Sequence, residues 1–103
     1  MFVTMKEMLA DAKAGHYAIP AFDVSNYEMM RAVLDVCEEE RSPALLMGLG
    51  VDLDGKGLPL ITSMVRAASD IYSVPVCFHL DHATDLDAIK AAVDAGFSSV
   101  MYP

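Results

Sequence analysis

Three apolar runs, each followed by a stretch of helical pattern, constrain the fold of this chain more than any other feature. They are Tyr17-Ala18-Ile19-Pro20-Ala21-Phe22, Ala44-Leu45-Leu46-Met47-Gly48 and Pro75-Val76-Cys77-Phe78-His79-Leu80. A run without polar alternation suits a strand buried on both faces, as in a parallel sheet lying under helices. Pro20 rules out a helix interior for the first run, and the other two are too short for ordinary helices.

The segments between them read as helices. Thr4-Met5-Lys6-Glu7 is a capping box that predicts a lead helix over Thr4 to Ala14, stopped at Gly15. Ser25-Asn26-Tyr27-Glu28 is a second, predicting a helix from Asn26 to Glu40. Its apolar face is Met29, Ala32, Val33, Val36 and Cys37, and Glu38-Glu39-Glu40 reads as a solvated end. Leu49 to Gly57 is loop, and Pro59 suits the first turn of a helix with the stripe Leu60, Ile61, Met64, Val65, Ala68 and Ile71. Thr84 can cap a further helix through Leu86, Ile89 and Val93, ended by Gly96, before a fourth strand over 97–102.

The order after the lead helix is β-α-β-α-β-α-β, with units of roughly thirty residues. Right-handed crossovers bring every strand back in the same direction, so all the carboxyl ends lie on one face. A (β/α)8 barrel of about 250 residues begins in this way and needs four more units. The expectation is therefore an α/β fold, a partial (β/α)8 barrel, with residues 1–103 forming one incomplete domain. Open strand edges and an apolar inner face predict either a homo-oligomer or a complementary barrel half. A small flavodoxin-like sheet would also take four parallel strands, but no phosphate or flavin loop signature supports it.

Composition removes several functions. A formal net charge of -8 argues against nucleic acid and anionic membranes as partners, since both call for clustered Lys and Arg. The longest uncharged stretches, such as Ser42 to Val51, fall well short of the ~20 residues needed to cross a bilayer. Cys37 and Cys77 sit in separate elements without C-x-x-C spacing, and the first residues lack a signal-type apolar run. A reducing cytoplasm is the expected compartment.

Chemistry concentrates where the third run ends, at His79-Leu80-Asp81-His82. Strand alternation places His79 and Asp81 on one face, with His82 at the turn beyond. An imidazole next to a carboxylate can supply a metal ligand and a proton carrier together. The same residues also fit a hydrogen-bonded core histidine followed by a helix start, and the residues alone leave both readings open. Asp23 follows the first strand, where an acid is commonly a turn or cap residue. Gly48 and Gly50 would let a phosphate approach the backbone. The methionines, Met29-Met30 among them, read as packing.

Four motifs in order resemble class II, metal-dependent ketose-bisphosphate aldolases. Tyr17-Ala18-Ile19-Pro20-Ala21-Phe22-Asp23-Val24 resembles their "YAVPAFNV", Ser42-Pro43-Ala44-Leu45-Leu46 their "SPVIL", His79-Leu80-Asp81-His82 their "HLDH", and Gly96-Phe97-Ser98-Ser99-Val100-Met101 their "GFSSVM". The resemblance implies a zinc-dependent barrel that reversibly cleaves fructose- or tagatose-bisphosphate-like ketoses to dihydroxyacetone phosphate and an aldehyde. It gives His82 as a zinc ligand, Asp81 as the acid exchanging a proton with the C4 hydroxyl, His79 as a residue behind them, and Asp23 and Gly48 as candidates near a phosphorylated substrate. Asp23 stands for the family's usual asparagine, Leu49 for a serine or threonine, and Tyr102-Pro103 for Ile-Asp. The other two zinc histidines and the glycine-rich phosphate loop come from later strands, so the ligand set here is incomplete. The implied role is the N-terminal segment of such an aldolase, inactive as an isolated chain. The alternative is a non-catalytic half-barrel or interaction module of the same origin.

Overall fold

Capping chemistry sets most of the helix starts. The Thr4 hydroxyl accepts the Glu7 N–H at 3.2 Å and opens α1 (Met5–Gly15). Asn26 accepts the Met29 N–H at 2.8 Å and opens α2 (Tyr27–Glu40), while Asp85 accepts the Ala88 N–H at 2.8 Å and opens α4 (Leu86–Ala95). The last cap thus falls on Asp85 rather than on Thr84, because the Asp carboxylate, on extended backbone, reaches the third N–H of the helix. α3 (Gly57–Ile71) has no side-chain cap and follows a short 3-10 turn, Gly50–Asp52, inside the expected loop. The Asp52 carbonyl comes so near Gly57 that a Cβ there would lie 2.4 Å from its oxygen, so only glycine fits this junction.

The structure, a computed structural model, describes residues 1–102; Pro103, with its part in the Tyr102-Pro103 departure, lies outside the described residues. Four parallel strands, β1 (Ala21–Asp23), β2 (Ala44–Leu49), β3 (Val76–Asp81) and β4 (Ser99–Val100), form one sheet in the order β1-β2-β3-β4. The expected parallel α/β order is the observed one. The outer strands are shorter than their apolar runs. Tyr17 is spent on the end of α1, its N–H bonded to the Ala12 carbonyl, and Pro20 has no N–H to offer a ladder. Phe97 likewise bonds back to Ala92, leaving Ser98 and Met101 to pair with the Phe78 and Leu80 carbonyls.

The sheet has two unlike faces. Leu46, Phe78 and Leu80 point to the helix layer and meet Leu34, Val65, Ile89 and Ala92, with Phe97 stacked on Phe78 at 4.1 Å between centroids. Leu45 and Cys77 point the other way and are covered by Val3 and Met8, so α1 lies beneath the start of the inner face. Fully burying side chains such as Phe78, Leu46 and Leu34 stabilises the fold by about 1.5–3 kcal/mol each.

The helix faces correct the sequence reading in detail. α2 buries Met30, Leu34 and Cys37, whereas Met29 and Val36 are exposed. α3 buries Thr62, Val65, Ala68 and Ser69 and leaves Leu60 and Ile71 in water; α4 buries Ile89 and Ala92 but not Leu86 or Val93. Each apolar stripe is wider than the sheet contact it makes. Glu38 is no solvated end either. Its carboxylate accepts the Ser73 N–H at 3.0 Å, the Ser73 hydroxyl at 2.7 Å and the Val74 N–H at 3.2 Å, which ties α2 to the segment leading into β3.

Candidate active site at the carboxyl end of β3

β3 delivers the three expected groups to one end of the sheet. His79 and Asp81 occupy its inner face, two residues apart, and His82 is the first residue after it. The Asp81 carboxylate is largely buried and the His82 ring mostly exposed, with Nε2 of His82 3.5 Å from Oδ2 of Asp81. His82 takes a left-handed backbone, φ 53°. Among the described residues the other two non-glycine positions with positive φ, His16 and Arg41, end helices α1 and α2, where this conformation closes the last turn. His82 ends no helix, so its strain belongs to the sharp turn that keeps its ring at the strand end.

His79 is half-buried, and its Nδ1 lies 2.7 Å from the Ser99 hydroxyl of β4. Burial pushes its imidazole below the ordinary value of 6.5, opposed by the nearby Asp81 carboxylate, so the ring is neutral at neutral pH. The register explains the contact: Asp23 pairs with Met47, Met47 with His79, and His79 with Ser99, making one row across the inner face. Leu49 pairs with Asp81 in the row above. The motif match contains Ser99 but gave it no role, and its pairing with His79 depends on a register that no local pattern states.

The remaining candidates are placed differently. Asp23 is exposed on the edge strand β1, in the His79 row but two strands away. Gly48 is buried toward the helix layer, where a Cβ would meet Leu53 at 3.2 Å, Phe78 at 3.3 Å and Phe97 at 3.4 Å. Its lack of a side chain is explained by that packing. His16, which precedes the first strand, closes α1 on left-handed backbone. His82 also lines an apolar cleft of about 540 Å³ shared with Leu49, Val51, Leu58 and Ala88.

Among the described residues, no three His, Cys, Asp or Glu side chains are grouped to hold a metal ion. The donor chemistry at His82 and Asp81 fits one imidazole ligand with a carboxylate beside it, fewer donors than a metal site takes.

A parallel sheet under helices, with its ionisable groups gathered at the strands' carboxyl ends, defines the opening portion of a (β/α)8 barrel. The chain belongs to the class II fructose-bisphosphate aldolase family, whose sequence profile, "Fructose-bisphosphate aldolase class-II", matches residues 3–103. It is 46% identical over 103 residues to the 6-phospho-5-dehydro-2-deoxy-D-gluconate aldolase of Halalkalibacterium halodurans and 43% identical over 104 residues to that of Bacillus licheniformis. These alignments cover 96% and 97% of this chain but 35% of each relative. Among solved structures it superposes on the YdjI aldolase of Escherichia coli K12 with a TM-score of 0.89 and 30% identity, covering 98% of this chain and 38% of that one. A putative fructose-1,6-biphosphate aldolase from Coccidioides immitis superposes with a TM-score of 0.82 and 34% identity, over 92% of this chain and 38% of that one. The chain thus spans little more than a third of the proteins it resembles.

Proposed function

We propose that this chain supplies the proton-transfer acid and one metal ligand of a zinc-dependent class II aldolase acting on a phosphorylated ketose. The observation that carries the reading is the adjacency of a largely buried carboxylate and an exposed imidazole at a parallel strand's carboxyl end, Asp81 and His82. His82 would hold the metal through a ring nitrogen, the remaining ligands coming from beyond the described residues. A divalent zinc, when bound, withdraws charge from the ketone oxygen while the carbon–carbon bond breaks. Asp81 takes the proton from the hydroxyl that becomes the aldehyde, and returns it in the condensation direction. His79 stands behind both as a neutral hydrogen-bonding group, and Asp23 borders the substrate side of the inner face.

For the substrate, the two curated relatives favour 6-phospho-5-dehydro-2-deoxy-D-gluconate over a sugar bisphosphate. Cleavage between C3 and C4 of that compound yields dihydroxyacetone phosphate and a three-carbon aldehyde acid, the same reaction type. The free thiols of Cys37 and Cys77 suit a reducing cytoplasm, and no helix among the described residues is long and apolar enough to cross a membrane. The isolated chain is inactive in this reading, and a further barrel portion or a second copy covers its open edges.

The test joins residues 1–103 to the remainder of the H. halodurans aldolase. The chimera should cleave 6-phospho-5-dehydro-2-deoxy-D-gluconate and lose that activity to a chelator. Asp81→Asn should keep the bound zinc and lower kcat by roughly 100- to 10,000-fold, whereas His82→Ala should lose the zinc itself. A folded chimera that holds no zinc, or an Asp81→Asn form of undiminished kcat, would sink the proposal and favour a non-catalytic half-barrel.

A further inference from the structure

The hydroxyl of Ser99 has a role that neither the sequence motif nor the strand pattern assigns. We infer that Ser99 is a positioning residue: it holds Nδ1 of His79 so that Nε2 is the ring nitrogen presented on the inner face beside Asp81. The inference rests on the proposed active site for its purpose, but not for its geometry.

The geometry has three parts. Ser99 and His79 are direct partners across the β3–β4 ladder, so their side chains leave the sheet on the same face, and the Oγ to Nδ1 separation is 2.7 Å. Among the described residues Nδ1 is the only ring nitrogen of His79 with a hydrogen-bond partner, and neither ring nitrogen is a buried orphan. Nε2 is therefore the nitrogen open to a ligand. Finally, the preceding serine is engaged elsewhere. Ser98 Oγ accepts the Phe78 N–H at 3.0 Å and donates to Cys77 Sγ at 3.5 Å, which anchors the two strands. Two neighbouring serines thus divide between holding backbone and holding an imidazole.

A histidine engaged through one nitrogen is fixed in ring orientation, and its tautomer follows from whether that partner donates or accepts. A flexible His79 would present either nitrogen, and the hydrogen bonds it offers to substrate or to Asp81 would change from donor to acceptor. Ser99 removes that ambiguity. Ser99 does so by donating its hydroxyl proton to Nδ1, which leaves the proton of the neutral ring on Nε2.

Long-range ¹H–¹⁵N spectroscopy of the histidine rings tests this on the 103-residue chain, at a pH where His79 is neutral. The native protein should show one dominant His79 tautomer. Ser99→Ala should shift the tautomer ratio by at least about threefold, within what one hydrogen bond commands, and Ser99→Thr should restore it. Ser98→Ala should lower thermal stability and leave the His79 signals in place. A near-equal tautomer mixture in the native chain overturns the inference even if no variant folds. So does an unchanged ratio in folded Ser99→Ala, or an equal shift in Ser98→Ala. The readout is independent of zinc at His82, so failure here and failure of the aldolase reading are told apart.

Discussion

At the scale of single residues, His82 combines a ligand's chemistry with a backbone conformation that favours glycine. Its φ of 53° puts an L side chain where glycine carries no penalty and alanine costs about 1 kcal/mol. His82→Gly should therefore unfold at a higher urea concentration than His82→Ala, the pair differing by about 1 kcal/mol. Equal stabilities would show that the turn relaxes when the ring is removed. The sequence made the identity of this residue legible and hid its strain, because nothing but glycine or asparagine announces a left-handed turn. Asp81 and His79 were legible as well, since a period of two fixes their shared face. Ser99 was not, because its partner lies twenty residues away across a ladder whose register no local pattern states.

At the scale of elements, the instructive case is the end of α2. Three consecutive acids at a helix C-terminus, Glu38, Glu39 and Glu40, oppose the helix dipole and look like a solvated tip. Glu38 is held there by donors from another element, first the Ser73 hydroxyl and then the Ser73 and Val74 N–H groups, which lower its pKa below the ordinary 4.5. A carboxylate with a depressed folded pKa contributes fully above its unfolded value, and that contribution fades as pH falls through the folded value. Thermal unfolding from about pH 6 to pH 3 should show native protein and Glu38→Gln converging as the solution is acidified. A constant gap would mean that the carboxylate's charge does not hold this contact. The helices themselves were readable from caps and periodicity, but the width of their buried faces was not. Val36 and Val93 carry the helical period of the core face, yet only the arrangement of neighbouring layers decides which apolar flank is covered.

At the scale of the whole molecule, the two outer flanks are the unfinished ones. β1 is exposed along its three residues, and Phe22 shares an apolar groove with Val33 and Val36 of α2. On α4, Leu86 and Val93 are exposed, seven residues apart on one flank, away from the Ala88 and Ala91 side that faces the cleft near α3. Parallel edges flanked by apolar helix surface invite another chain. Light scattering on the isolated chain should give a mass of at least two copies at high concentration, and a strict monomer would count against this. The parallel direction of the strands was legible because alternation and handedness leave few topologies, and the motifs favoured the barrel order over a flavodoxin-like one, whereas the lengths of β1 and β4 depended on how much chain the adjoining caps and Pro20 consumed. The lead helix has its own consequence. With Val3 and Met8 seated against Leu45 and Cys77, the amino-terminal part of the inner face is covered, while Asp81 and His82 stand at its carboxyl end. In a completed barrel such a plug would close the amino-terminal end and leave the carboxyl end as the approach to Asp81 and His82.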